Sequence, residues 1–191
     1  MKIGVLALQG AVIEHVRMLE QAGAQAVAVK KVEELADLDG LVIPGGESTT
    51  ISKLMHKYGF MEAIREFAAE KKPLFGTCAG AILLAKEIQG QDEPHLGLMD
   101  MKVERNAFGR QKESFEVDLP IAGVAPDFPA VFIRAPYIVD IGASGEVLAK
   151  YDEKIVAARQ GQYLAAAFHP ELTEDFRFHK YFLDMVREYR A

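Results

Sequence analysis

The stretch Leu74-Phe75-Gly76-Thr77-Cys78-Ala79-Gly80-Ala81-Ile82-Leu83 decides how this chain of 191 residues folds. An apolar β-like run leads in and an apolar helix-like run leads out. Between them stands the one cysteine of the sequence, with a glycine two positions away on each side. A strand that turns sharply into a helix needs small residues beside the apex, because the backbone there is strained and closely packed. The pattern is a G-x-nucleophile-x-G elbow with sulfur in place of oxygen. It lifts Cys78 clear of a sheet and sets its thiol at a helix N-terminus, where the dipole favours thiolate. The competing reading is a buried cysteine used as a small hydrophobe.

Outward from the elbow, strand-like and helix-like segments alternate. Ile3 to Leu8 is a continuous apolar run, as in a strand covered on both faces. A helix with Val12, Val16 and Leu19 at helical spacing follows and ends at Gly23. Short strands at 26–29 and 40–43, a helix reaching about Tyr58, another over 60–71 and a strand opened by Pro73 complete the lead-in. This alternation predicts parallel βαβ units, hence an α/β sheet with helices on both faces. Beyond the elbow the spacing predicts a helix over 79–87. The pattern then changes to β-like runs at 101–104, 114–119, 130–133, 137–141, 147–150 and 155–160, which extend the sheet as antiparallel neighbours. A last strand, 163–168, ends in His169-Pro170-Glu171. A closing helix puts Phe178, Tyr181, Phe182, Met185, Val186 and Tyr189 on one core-packing stripe.

Composition narrows the function. Half the residues are hydrophobic and 26% are charged, the net charge is −6, and no basic block is present. Nucleic-acid binding, which rests on Lys and Arg contacts to phosphate, is disfavoured. A single cysteine forms no internal disulfide and fits a reducing cytoplasm. The run 3–8 is broken by Gln9-Gly10 and followed by Glu14, His15 and Arg17, so it reads as strand, turn and helix rather than a signal peptide. No segment reaches membrane-span length. With no linker, repeat or low-complexity stretch, residues 1–191 are expected to form one domain.

A cysteine nucleophile needs a base, and the base needs an orienting group. His15, His56 and His179 fall in predicted helices and His95 in a loop, all read as surface or packing residues. His169 closes a core strand whose carboxyl end should lie beside that of the elbow strand, where ligands of open α/β sheets bind. Pro170 favours extended backbone at His169, and in extended chain residues i and i+2 share a side, so Glu171 can hold the imidazole. The His-x-Glu pair has no accompanying ligand cluster that would make it a metal site.

The Pro44-Gly45-Gly46-Glu47-Ser48-Thr49-Thr50 loop has three readings: a phosphate cradle lacking the full pattern, a tight turn into a Ser/Thr-capped helix, or an oxyanion loop. A Cys78–His169–Glu171 triad favours the third. Attack on an amide or ester carbonyl makes an oxyanion that the N–H groups of Ala79 and of Gly45-Gly46 would stabilise.

The elbow, the Pro-Gly-Gly-Glu-Ser loop and the terminal His-Pro-Glu resemble the class I glutamine amidotransferases. Leu8-Gln9-Gly10, the 44–50 loop, Arg105-Asn106-Ala107-Phe108-Gly109-Arg110-Gln111 and Phe132-Ile133-Arg134-Ala135-Pro136 are similar, more closely, to the glutaminase subunits of pyridoxal 5′-phosphate synthases. The resemblance spans essentially the whole chain. It implies a three-layer, Rossmann-like fold, mainly parallel and extended by antiparallel strands, and hydrolysis of L-glutamine to glutamate and ammonia. It also implies glutamine contacts at Gly46, Glu47, Ser48, Arg105, Ile133 and Arg134, and no cofactor or metal. The implied partner is a (β/α)₈-barrel synthase whose dodecameric core carries glutaminase subunits and takes the ammonia directly. A glutaminase serving a different synthase is the nearest competing reading.

Overall fold

The computed structural model describes residues 1–106, 108 and 114–190. Its strands are β1 (Lys2–Leu6), β2 (Gln25–Val29), β3 (Gly40–Ile43), β4 (Leu74–Thr77), β5 (Ala85–Ile88), β6 (Met99–Glu104), β7 (Ser114–Ile121), β8 (Ala125–Ile133), β9 (Tyr137–Ile141), β10 (Glu146–Tyr151), β11 (Lys154–Gln160) and β12 (Tyr163–Ala166). The helices are α1 (Val12–Gln21), α2 (Ser48–Lys57), α3 (Phe60–Ala69), α4 (Ala79–Leu84) and α5 (Arg177–Arg190). The main sheet runs β2-β1-β3-β4-β12-β11-β9-β6-β5, with β10 also paired to β11. From β2 to β12 every pairing is parallel. Antiparallel pairings of β11 with β12, β9 and β10 extend it, as the sequence predicts.

Alternate residues of the central strands feed two cores, one on each face. Leu41 and Ile43 of β3 pack with the α2–α4 side, whereas Val42 faces the α1–α5 side; Leu74 and Phe75 of β4 divide in the same way. A strand buried on both faces has no polar side to show, which is why these segments read as continuous apolar runs. Phe75 stacks on Phe178 of α5 with ring centroids 5.2 Å apart, tying the elbow strand to the last helix. The α5 stripe packs as expected through Phe178, Phe182, Met185 and Val186, while Tyr189 at its end is exposed. None of the helices is long and apolar enough to cross a membrane among the described residues.

Two expectations are corrected. The helix predicted over 79–87 stops at Leu84, because Ala85 turns extended (ψ 140°) and opens β5, parallel to β6. A register shift between Ala85 and Glu87 leaves both Lys86 and Glu87 outside, which in sequence mimics a helix's polar face. The segments at 114–119 and 130–133 do not join the main sheet. They belong to β7 and β8, a separate antiparallel ribbon paired from Ser114↔Ile133 to Ile121↔Ala125 with a register shift between Leu119 and Ile121. Its inner residues Phe128 and Phe132 are fully buried in the α1–α5 core. Pro126 and Pro129 are tolerated in β8 because each strand of a two-stranded ribbon keeps one unpaired edge.

Candidate active site

Three parallel strands, β3, β4 and β12, end side by side, and the segments leaving their carboxyl ends meet at one place. After β4 comes Cys78, with φ 50° and ψ −108°. A non-glycine residue at positive φ is uncommon and strained, and here it is the apex the sequence pattern requires. The elbow is anchored on both sides: the Cys78 N–H donates to the Ala166 carbonyl of β12 at 2.8 Å, and its own carbonyl accepts from Ala81 at 3.1 Å. The flanking glycines are there for contact. A Cβ on Gly80 would run into the Ile43 carbonyl oxygen, and one on Gly76 would lie 2.5 Å from the Gly80 oxygen. Helix α4 therefore rests directly on the ends of β3 and β4, and its first N–H is that of Ala79, the residue after Cys78. That N–H has no intrahelical acceptor.

After β12 the chain reaches His169, whose N–H donates to the Val131 carbonyl at 2.7 Å. Its Nδ1 donates to Glu171 Oε2 at 2.7 Å, with both residues buried. The route differs from the expected extended one: Pro170–Leu172 is a 3₁₀ turn, and His169 stands just outside it with ψ 85°. The turn brings the carboxylate back beneath the imidazole. Burial pushes the His169 pKa down, but hydrogen bonds to Cys78 and Glu171, and their charges, outweigh it and raise the value to about 10. The ring thus stands between sulfur and carboxylate, in surroundings that favour its protonated form. The sulfur lies 3.8 Å from the Ile133 carbonyl oxygen, at the end of β8.

After β3 comes the glycine loop. A Cβ on Gly45 would stand 2.6 Å from His169 Cε1 and 3.2 Å from Cys78 Cβ, so only glycine fits against that pair. The Gly45 carbonyl accepts from the Ala11 N–H at 3.1 Å, and Gln9 Oε1 accepts from the Glu47 N–H at 2.9 Å. These bonds tie the loop to the turn between β1 and α1. Glu47 serves as the N-cap of α2: its carboxylate accepts from the Thr49 and Thr50 N–H groups at 3.1 and 2.7 Å and from the Thr50 hydroxyl at 2.7 Å. The Thr50 hydroxyl foremost, with the backbone donors, holds the Glu47 pKa down at about 2 against the opposing effect of burial.

These parts enclose a cleft of about 650 Å³ lined by Gly45, Gly46, Glu47, Ser48, Cys78, Ala79, Arg105, Ile133, Arg134 and His169, all singled out from sequence. Glu171 lies behind the wall rather than in it. Arg105 donates to Gln91 Oε1 at 2.9 Å and has its other nitrogen 3.8 Å from Glu47. Arg134 occupies a left-handed conformation, φ 45°, immediately after β8. The cleft therefore carries a sulfur and an imidazole ring at its floor, with two guanidinium groups and a carboxylate around them. Of the 105–111 motif, Ala107, Gly109, Arg110 and Gln111 lie outside the described residues. Among the described residues no three of His, Cys, Asp and Glu are grouped so as to hold a metal ion. A second cleft, of about 790 Å³, lies along 120–126 and 147–150; its lining is mostly apolar and includes neither cysteine nor histidine.

Residues 5–188 match the SNO glutamine amidotransferase family. The chain belongs to that family. It is 78% identical over 191 residues, all of both chains, to a protein of Brevibacillus brevis named pyridoxal 5′-phosphate synthase subunit PdxT. It is 67% identical, again over the full length of both, to a protein of the same name from a Geobacillus species. A crystal structure described as a glutamine amidotransferase superimposes with a TM-score of 0.92 at 52% identity, covering 97% of this chain and 98% of the other. The three-layer arrangement of this amidotransferase is thus that of a solved relative.

Sequence reasoning missed part of the site. Gln9, Gly10, Ile82, Asn106 and Ser114 also line the cleft. His15 and His179, assigned to surface or packing, are completely buried behind Glu171. The signal was available: each sits on the apolar stripe of its helix, His15 three residues after Val12 and His179 three before Phe182. A histidine on a buried face must find polar partners.

Proposed function

We propose that this chain hydrolyses L-glutamine to L-glutamate and ammonia through Cys78, His169 and Glu171, as the glutaminase subunit of a pyridoxal 5′-phosphate synthase. The observation that carries the reading is the His169 ring, bonded at 2.7 Å to a buried carboxylate and set beside the Cys78 sulfur, at the floor of a cleft ringed by Arg105, Arg134 and Glu47. A free amino acid carries a carboxylate and an ammonium. Guanidinium groups and a carboxylate are their complements. Gly46, Ser48 and Ile133 complete the contacts with the substrate.

The reaction follows from the geometry. The Cys78 sulfur attacks the side-chain amide carbon and the C–S bond forms. The carbonyl oxygen gains the negative charge, facing the N–H groups of Ala79 and the Gly45-Gly46 loop; losing one such donor typically costs roughly 2.7–4 kcal/mol of barrier. His169 gives its proton to the nitrogen, the C–N bond breaks, and ammonia leaves a thioester. Water then loses a proton to His169 and attacks the thioester carbon. The C–S bond breaks, releasing glutamate and restoring the sulfur. Glu171 holds the ring in one orientation throughout.

Ammonia released into water is protonated and lost to synthesis, so the product is passed to a barrel-type synthase subunit, in a dodecameric core decorated with glutaminase subunits. Residues 1–191 act as one domain, in the cytoplasm, with no cofactor. Docking completes the oxyanion loop: Gly45 is bonded to Ala11, and Gln9 and Gly10 on the same turn are at least partly exposed, so a partner touching that turn reaches the loop. The test is glutamate release by the chain alone, with the synthase subunit of this pathway, and with a synthase from another amidotransferase system. Release should rise at least tenfold only with the first partner. Equal rates alone and in complex would refute the coupling, and stimulation by the other synthase would reassign the partner.

A further inference from the structure

Behind the reacting groups, on the side away from the cleft, lies a buried polar cluster that the proposed reaction does not use. Glu171 spends one oxygen on His169. Its other oxygen, Oε1, is buried with no hydrogen bond of ordinary length. The group facing it is Nε2 of His15, at 3.6 Å. The same Nε2 is 3.0 Å from the hydroxyl oxygen of Thr77, the residue that precedes Cys78. On its other side, His15 Nδ1 lies 2.8 Å from Nε2 of His179. Both rings are fully buried. Three elements meet here: α1 supplies His15, β4 supplies Thr77 and α5 supplies His179.

The partners assign the tautomers. Burial first, then the neighbouring rings of His179 and His169, hold His15 well below the ordinary histidine range. Burial lowers His179 to about 3. Each ring therefore carries a single proton. With the His15 proton on Nε2, an N–H faces the carboxylate and the Thr77 oxygen, while Nδ1 accepts from the Nε2–H of His179. Glu171 Oε1 then has an N–H on its side at 3.6 Å, and what is left unpaired at His179 Nδ1 is a lone pair rather than a donor. The reverse arrangement buries two faults: an unpaired N–H at His179 and a lone pair turned toward a buried carboxylate. An unpaired buried donor is among the rarest features of folded proteins, and repulsion is strong in the low dielectric of a buried site.

We infer that His15, held by His179, is a positioning residue of this active site: its Nε2–H fixes the free oxygen of Glu171 and the hydroxyl beside the nucleophile, and through them the ring of His169. The inference rests on the proposed role of the Cys78–His169–Glu171 set. Without that donor the carboxylate has one buried oxygen facing nothing favourable, and it can rotate or shift away from His169. Displacement by about 1 Å in such an assembly is enough to lower turnover by roughly 100-fold.

Two measurements test it. In the wild-type chain labelled with ¹⁵N-histidine, the ring nitrogen shifts of His15 and His179 should report neutral rings with the proton on Nε2. A proton on Nδ1 of His15 would overturn the inference, whatever the chain's activity. In the complex with the synthase, His15→Gln places an amide N–H near the position of Nε2, whereas His15→Asn places one near Nδ1. The Gln variant should keep kcat within a few-fold of wild type. The Asn variant should lose at least tenfold in kcat per labelled Cys78, with KM within twofold and the downfield Nδ1 proton signal of His169 displaced. Equal kcat for the two, or an unmoved signal in the Asn variant, would make His15 only a packing residue. A wild-type complex that released no glutamate would refute the proposed function and leave the nitrogen shifts to decide the tautomer.

Discussion

At Gly45 a single hydrogen atom decides whether the site can assemble. Any side chain there meets the His169 ring at 2.6 Å and the Cys78 Cβ at 3.2 Å. The ring cannot yield without leaving Glu171, to which it is bonded at 2.7 Å. Gly45→Ala should therefore spare the fold, since Gly45 is not among the glycines at positive φ, yet displace the imidazole. About 100-fold loss of kcat is the expected scale for a misplacement near 1 Å. Steady-state glutaminase rates with the synthase bound, alongside a melting curve, check this; a fully active, equally stable variant would show that the ring has room to move. Glu47 shows how two readings coexist at one residue. Its carboxylate caps α2 through Thr49 and Thr50, the role a first-turn acid suggests, and it also lines the cleft 3.8 Å from Arg105.

Elements were legible in the sequence where a buried face imposes a period, and illegible where two causes give one pattern. The continuous apolar runs of β1, β3, β4 and β12 could only be strands covered on both faces. The elbow could be placed because Gly76 and Gly80 answer to specific backbone oxygens. The end of α4 could not be placed, because a bulge in β5 puts Lys86 and Glu87 side by side on the surface as a helix would. The β7–β8 ribbon was readable as two strands but not as a separate sheet. Strand pairing depends on long-range partners, here the phenylalanines packed beneath it, that local sequence does not encode. The His169–Glu171 contact was foreseen, though by an extended path where the chain uses a 3₁₀ turn. The histidines behind it were visible on apolar stripes, yet the partners of His15 come from residues 62 and 164 positions away.

For the whole molecule these buried histidines set the response to pH. His15 and His179 are lowered from 6.5, so they contribute stability that is complete above about pH 6.5 and is lost as the pH falls toward their folded values. The slope for two protons is about 3 kcal/mol per pH unit. His169 is raised from 6.5 to about 10, so its contribution is complete below about pH 6.5 and is lost as the pH rises through 10. Melting temperature should therefore peak near pH 6.5 and decline on both sides, with the acid side falling well before the carboxylates titrate. A melting temperature that stayed level from pH 6.5 to 5 would mean that one or both rings are charged or solvated in the native state.

The sulfur of Cys78 is the centre on which strand, helix, glycine loop and imidazole converge. The most direct measurement is to treat the complex with an electrophilic glutamine analogue and map the adduct by mass spectrometry. The account predicts one equivalent of label, on Cys78, faster with the synthase bound and slowed by excess glutamine present during labelling. Label on another residue, or an unmodified Cys78 in a complex competent to bind glutamine, would contradict it.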